Sequence, residues 1–208
     1  MLQGARATDT RTPSSPGGDP PAHFPLPITI GEITPAWLTA ALRTRAPGVT
    51  VRGVEIVDTI NTTSTKLRLR LDLDAAAKAA AIPDVLILKG GFEPHSRDLG
   101  YMHEREVRGY RDVLPYVPLP SPACYFADYD EARQQGIILM EDLVARGVTF
   151  CHASAPQSFE QVARRLGVLA AFHARTWNSR ELEPGGRWAG LVDFLETTEP
   201  FFRLNIAE

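Results

Sequence analysis

Residues 85–89, Val-Leu-Ile-Leu-Lys, constrain this chain more than any other stretch. Four consecutive apolar residues leave a strand no face to give to water, so it must lie in the middle of a sheet. Lys89 comes last, where the strand runs into Gly90 and Gly91. A central strand needs neighbours, and the clearest lies upstream. Leu67, Leu69, Leu71 and Leu73 alternate with Lys66, Arg68, Arg70 and Asp72. A period of two is the signature of a half-buried antiparallel strand. Its basic face is expected to be a solvated sheet surface. Residues 49–57, with Val51, Ile56 and Val57, read as the strand before it. The polar loop 58–64 then forms the tip of a hairpin. Residues 74–81 are alanine-rich and read as a short helical turn or a mobile excursion. Residues 123–128 and 136–140 read as two further strands, joined by the charged loop 129–135.

Three helices punctuate these strands. Thr34-Pro35 is a capping hydroxyl followed by proline at the first helical position. Trp37, Leu38, Ala41 and Leu42 follow at helical spacing. The second helix is expected over residues 99–114, where Leu99, Met102, Glu106, Tyr110 and Val113 recur at steps of three, four, four and three. Glu106 therefore sits on an apolar stripe. A buried carboxylate is costly unless paired. Either a cation lies beside it, Lys89 being the best placed, or Glu106 occupies the stripe's edge and reaches water or a surface arginine. Pro115, Pro118, Pro120 and Pro122 end this helix. The third begins at the capping box Ser158-Phe159-Glu160-Gln161 and carries Phe159, Val162, Leu166, Leu169, His173 and Trp177 on one stripe, with His173 expected to be a satisfied core histidine. A short helix is expected near residues 188–195. The fold class is α+β: a five-stranded antiparallel sheet with an inserted helix, followed by the first helices of a second lobe. The expected division is a disordered tail at 1–27, a sheet lobe at 28–145, and a hinge with the start of another lobe at 146–208.

Composition narrows the function classes. The chain is 44% hydrophobic and 23% charged with a net charge of −3, and lacks the long basic run that nucleic acid or an anionic membrane would call for. The expectation is no nucleic-acid and no membrane partner. No apolar run approaches the roughly 20 residues that span a bilayer. Residues 1–27 are rich in Pro, Gly, Ser and Thr and lack the apolar core of a leader. Cys124 and Cys151 have no paired metal-ligand spacing, so they read as free thiols in a reducing, cytoplasmic setting.

Transfer of a phosphoryl group from ATP needs a loop over the phosphates, a lysine on them, a carboxylate orienting that lysine, a platform for adenine and acids that hold metal. Four have candidates. Asn61, Thr62, Thr63 and Ser64 at the hairpin tip offer N–H groups and hydroxyls to phosphate oxygens. Lys89 is the lysine, and Glu106, seventeen positions later, the carboxylate. Backbone groups from Met140 through Glu141 to Leu143 would take the adenine edge.

Several of these pieces, in this order, resemble the aminoglycoside phosphotransferase and choline/ecdysteroid kinase-like families of the protein-kinase-like fold. They are Leu86-Ile87-Leu88-Lys89, Glu106-Val107-Arg108-Gly109-Tyr110, Pro122-Ala123-Cys124-Tyr125, Ile138-Leu139-Met140-Glu141-Asp142-Leu143 and Leu169-Ala170-Ala171-Phe172-His173-Ala174. The resemblance spans residues 33–177. It implies ATP- and Mg²⁺-dependent phosphorylation of a small-molecule hydroxyl, with Lys89 and Glu106 in the roles above.

The chain departs from that pattern twice. No glycine lies between Asp58 and Leu73 to bring backbone close to phosphates. The family's catalytic His-x-Asp is also missing: the five histidines are followed two positions later by Pro25, Arg97, Arg105, Ser154 and Arg175. The later metal-binding Asp has no counterpart, since Asp193-Phe194 follows no catalytic loop. By the resemblance those elements would lie past Glu208, so this chain is expected to be inactive alone. Phe201, Phe202, Leu204 and Ile206 then form an apolar end expected to promote self-association. Two alternatives stay open. One is a non-catalytic nucleotide-binding or protein-interaction module. The other is an α+β domain in which Lys89 and Glu106 form a merely structural ion pair.

Overall fold

The leucine alternation at residues 67–73 decides how the protein is layered. In the computed structural model, which describes residues 24–117, 119–151 and 154–191, all four leucines are buried on one face of a sheet. Its strands are β1 (Val51–Asn61), β2 (Thr65–Leu73), β3 (Val85–Gly90), β4 (Cys124–Asp130) and β5 (Gln135–Glu141). They pair antiparallel in the order β1-β2-β3-β5-β4. β3 is the middle strand, as its two-sided apolar sequence requires. The protein is thus α+β, with an open five-stranded antiparallel sheet.

Behind the sheet, Leu67, Leu69, Leu86, Leu88, Ile137 and Leu139 form one core with Leu38, Ala41 and Leu42 of α1 (Pro35–Arg43). Thr34 caps α1 by accepting the Trp37 N–H at 3.2 Å, and Pro35 supplies the preset first turn. α2 (Ala75–Ala79) starts on Asp74, which accepts the Ala77 N–H at 2.9 Å, and seats Ala77 in the same core. Residues 24–27 fall inside the stretch expected as a disordered tail, yet they pack. Leu26 is buried, Phe24 meets the rings of Trp37 and Phe126, and the Trp37 indole donates to the Pro25 carbonyl at 3.1 Å.

In front of the sheet lies α3 (Gly100–Arg108), whose Val107 packs with Ile138 and Met140. Three sequence expectations need correction here. The hairpin loop is shorter than residues 58–64: β1 runs on through Asn61 because Asp58, Thr59, Ile60 and Asn61 pair with Arg68, Leu67, Lys66 and Thr65. The helix of residues 99–114 is α-helical only to Arg108 and then makes a π-helical turn, Gly109–Val113. Its inward line is Gly100, His103 and Val107, while Met102 is 43% exposed. The counted stripe was rotated by about one residue because His103, a polar residue, takes the position closest to the sheet. It can do so because Gly136 of β5 has no side chain: a Cβ there would stand 2.9 Å from the His103 Cβ. Val107→Ala should therefore cost about 2 kcal/mol, while Met102→Ala stays within about 0.5 kcal/mol. Urea midpoints of the two variants check the rotation.

Beyond the sheet, a single 3₁₀ turn, Leu143–Arg146, ends at Gly147 with φ +69°. α4 (Phe159–Thr176) starts on the expected capping box: the Gln161 N–H donates to the Ser158 hydroxyl at 3.2 Å, and the Ser158 N–H to the Gln161 side chain at 2.9 Å. Its stripe does not form a core. α4 buries no residue, His173 is exposed, and Phe159 and Trp177 are 82% and 76% exposed. Residues 188–190 are turn rather than helix, and Trp188 is buried, its indole donating to the Asp112 carbonyl at 2.8 Å. The rest of the expected helix at 188–195, Asp193-Phe194, and the apolar end at Phe201, Phe202, Leu204 and Ile206 lie outside the described residues.

Candidate functional site

Pairing register decides what faces the front of the sheet. Lys66 is opposite Lys89, Arg68 opposite Ile87, Lys89 opposite Ile138, and Ile87 opposite Met140. Directly opposed residues share a face. One surface therefore carries Lys66 and Arg68 from β2, Ile87 and Lys89 from β3, and Ile138 and Met140 from β5. The basic face expected to be solvated is divided by this arrangement. Arg70 and Asp72 do lie at the surface, paired with Glu55 and Arg52 at 2.7 and 2.6 Å. Lys66 and Arg68 instead line a cleft.

The cleft encloses about 450 Å³, within the range of small-ligand sites. Its walls are mostly apolar: Ile60, Ile87, Met140, Leu143, Val144 and Phe150. Its polar groups are Asp58, Lys66, Arg68, Glu141 and Asp142. Arg68 spans it, donating through Nε to Asp142 Oδ2 at 2.9 Å and through Nη1 to Asp58 Oδ2 at 3.3 Å. Asp142, 8% exposed in its side chain, also accepts the Val144 N–H at 3.0 Å and so caps the 3₁₀ turn. One arginine thereby ties strand β2 to the segment that leaves the sheet.

At the inner end of that face, Lys89 Nζ donates to Glu106 Oε2. The pair joins β3 to α3. Both groups keep some solvent contact, with side chains 19% and 33% exposed. Glu106 is thus at the edge of the helix's inward line and still meets the cation the sequence asked for. Tyr110, one turn on, directs its hydroxyl at the Met140 sulfur at 3.9 Å, and burial pushes its pKa up to about 12.

The remaining expected contacts fall less neatly. Asn61 is paired with Thr65 inside the β1–β2 ladder. The Thr62 N–H and hydroxyl both donate to the Ser64 carbonyl, at 3.3 and 3.0 Å, and Ser64 itself is buried. Thr63 is exposed at the tip. The cleft wall on this side comes from Asp58 and Ile60 rather than from residues 61–64. At the other end, Met140 and Leu143 line the cleft as expected, but the Glu141 N–H is taken by the Ala123 carbonyl at 2.9 Å and the Leu143 carbonyl by the Val148 N–H at 3.2 Å. Sequence reasoning missed Lys66, Arg68 and Asp142 as cleft residues. The available signal was register: a strand antiparallel to residues 85–89 puts a β2 cation opposite Lys89 only in the pairing that the hairpin imposes.

A wider concavity of about 1000 Å³ lies along β4 and the π-helical turn, bordered by Arg45, Tyr110, Arg111, Tyr125 and Asp128. Arg111 is already paired with Asp112 and Asp128 at 2.9 and 3.1 Å, and burial pushes the Cys124 thiol up to about 11, keeping it protonated and inert. The smaller cleft carries more of the chemistry.

Behind Lys89 and Glu106, His103 Nε2 and Ser96 Oγ are buried without a hydrogen-bond partner among the described residues. Burial holds the His103 pKa below its usual value, with Lys89 and His95 adding to the shift and Glu106 opposing it. A histidine whose folded pKa is depressed binds fewer protons folded than unfolded. Its contribution to stability is complete above the unfolded pKa of about 6.5 and is lost as pH falls below that value. Urea unfolding at pH 7.5 and pH 5.5 should show weaker stability at the lower pH, and His103→Gln should flatten that difference.

No helix among the described residues is long and apolar enough to cross a membrane. Among the same residues no three His, Cys, Asp or Glu side chains converge as metal ligands, so the donor set present there does not fit a protein-held Mg²⁺. Comparison with protein-family models, curated proteins and solved structures finds no match to this chain.

Proposed function

We propose that these residues form the nucleotide-holding lobe of a kinase-like, ATP-dependent phosphotransferase that acts on a small-molecule hydroxyl. The observation that carries the reading is the Lys89–Glu106 ion pair on the same sheet face as the apolar cleft that Lys66, Ile87 and Met140 line. Holding ATP asks for an apolar slot beside a fixed cation, and this face of the sheet carries both. Ile87 and Met140 on the sheet, with Leu143 and Val144 on the departing segment, make a slot for adenine. Lys89, steadied by Glu106, meets the phosphates at the end of β3. A lysine is a compact point charge suited to phosphate oxygens, and a carboxylate partner keeps it from folding away.

The lobe holds a phosphoryl donor but offers no base for an acceptor hydroxyl. No histidine in the 208 residues is followed two positions later by Asp, and positioning with charge neutralisation is most of what this reaction needs. We therefore assign binding to these residues and expect no turnover from them alone. A second reading, a protein-interaction module built on the same lobe, has one observation in its favour: the exposed apolar side chains of α4.

Calorimetric titration of the 208-residue chain with ATP and Mg²⁺, beside an assay for ATP hydrolysis, tests the proposal. Binding without turnover is expected. Absence of binding would remove the nucleotide reading, and turnover would remove the assignment of binding alone.

A further inference from the structure

Lys66 has no role in the nucleotide reading as it stands, and its surroundings suggest one. It lies directly opposite Lys89 across the β2–β3 ladder and lines the apolar cleft on that face. Like charges directly opposed on a ladder are destabilising. The other cations on this face are answered by carboxylates: Lys89 by Glu106, Arg68 by Asp142 and Asp58. Lys66 makes no ion pair among the described residues. Its ammonium donates to the Thr62 hydroxyl at 3.1 Å. Burial lowers the Lys66 pKa, Lys89 lowers it further, and Glu106 only partly opposes them. On this face Lys66 is thus the lysine left without a carboxylate partner among the described residues.

The hairpin tip makes this lysine useful. Residues 62–64 contain no glycine, and the turn is closed on itself by the Thr62 N–H and hydroxyl, both bonded to the Ser64 carbonyl. The Thr62 N–H is therefore not offered to a phosphate. Its hydroxyl instead accepts from Lys66 and so aims the lysine. A side-chain cation stands where a glycine-rich turn would present backbone amides.

We propose that Lys66 is a second phosphate-binding residue of the cleft, gripping the terminal phosphates of a nucleoside triphosphate together with Lys89, so that the site selects tri- over monophosphates. This rests on the nucleotide reading above, and the experiment separates the two. The full chain is titrated with ATP, AMP, adenosine and inorganic tripolyphosphate at about 0.15 M ionic strength, where long-range charge effects are screened. Lys66→Met keeps the apolar stem and removes the charge; Lys78→Met, on the exposed side of α2, is the equal-charge control. Lys66→Met should weaken ATP and tripolyphosphate by about tenfold or more and leave AMP and adenosine within about twofold. Lys78→Met should change none of them. Because the substitution relieves a like-charge pair, the melting temperature should hold or rise, and Lys66→Arg should restore ATP binding. Unchanged ATP affinity in Lys66→Met, with wild type binding ATP, overturns this inference and leaves the nucleotide reading standing. Tripolyphosphate binding that depends on Lys66, with no preference for ATP, keeps the anion site and overturns the nucleotide. Wild type binding none of the four overturns both.

Discussion

Lys89→Ala is expected to lower ATP affinity by roughly 10- to 100-fold while shifting the melting temperature by only a few degrees. A charge-assisted hydrogen bond to a phosphate oxygen contributes about 1.5–3 kcal/mol, and each 1.4 kcal/mol is about a factor of ten in affinity. Stability responds less because both partners keep solvent contact, with side chains 19% and 33% exposed. Partly exposed pairs contribute on the order of 0–1 kcal/mol, and Glu106 freed of its lysine can turn to water. For a chain of this size 1 kcal/mol moves the melting temperature by about 2–4 °C. Glu106→Gln should act in the same direction and more weakly, since it removes what steadies the lysine but not the lysine. Titration calorimetry beside thermal unfolding separates the two quantities. ATP affinity unchanged in a folded Lys89→Ala would leave the ion pair as a structural clamp between β3 and α3 and nothing more.

Gly136→Val is expected to cost about 3 kcal/mol and to carry the nucleotide site with it. A Cβ at residue 136 would stand 2.9 Å from the His103 Cβ, 3.2 Å from the His103 carbonyl oxygen and 3.2 Å from Val107 Cγ2. Two of these neighbours belong to the backbone or its first side-chain atom, so the clash cannot be relieved by a rotamer change. α3 must lift from β5. Overpacking a close contact costs about 1–3 kcal/mol, occasionally more, and the two further methyls of valine put this case at the upper end. Strand propensity favours valine, so a loss measured here reports the clash. Glu106 rides on α3, one turn from His103, so the lift also separates it from Lys89. ATP affinity should fall even though neither Lys66 nor Lys89 has been touched. Gly53→Ala is the control: its Cβ would meet only the Asp72 Cβ, at 3.5 Å, an ordinary contact expected within about 0.5 kcal/mol. A Gly136→Val protein as stable as wild type would mean that α3 is not held at this distance.

Much of the sheet is legible without coordinates. Residues 85–88 have no polar face, so β3 had to be central, and four alternating leucines could only line one side of a half-buried strand. Helix starts were equally plain, because a cap is chemistry between residues three apart: Thr34 with Trp37, Ser158 with Gln161. Interior lines were harder. Counting apolar residues on residues 99–114 put Met102 inward and overlooked His103, since hydropathy cannot register a polar side chain on a helix admitted by a glycine thirty-three positions away on a strand. The stripe of α4 was counted correctly as a pattern, and it covers nothing among the described residues.

The site divides along the same line. Lys89 and Glu106 could be matched in advance, because a carboxylate beside an apolar stripe needs a cation and the end of the central strand offered one. The hairpin tip could not be read, because loop and strand differ there only in whether Asp58, Thr59, Ile60 and Asn61 find partners across the ladder. Lys66 and Arg68 had the same alternating pattern as Arg70 and Asp72, and sequence has no means of separating them. Only the packed structure does, by placing the turn at Leu143–Arg146 opposite the first two and solvent opposite the others. What the amino-acid sequence determined by itself is whatever local periodicity and capping dictate: five strands, the buried face of β2, two helix starts, and one lysine with one glutamate to pair. What the tertiary structure alone decided is which charges share a cleft, because that depends on register and on the distance of closest approach between elements far apart in the chain.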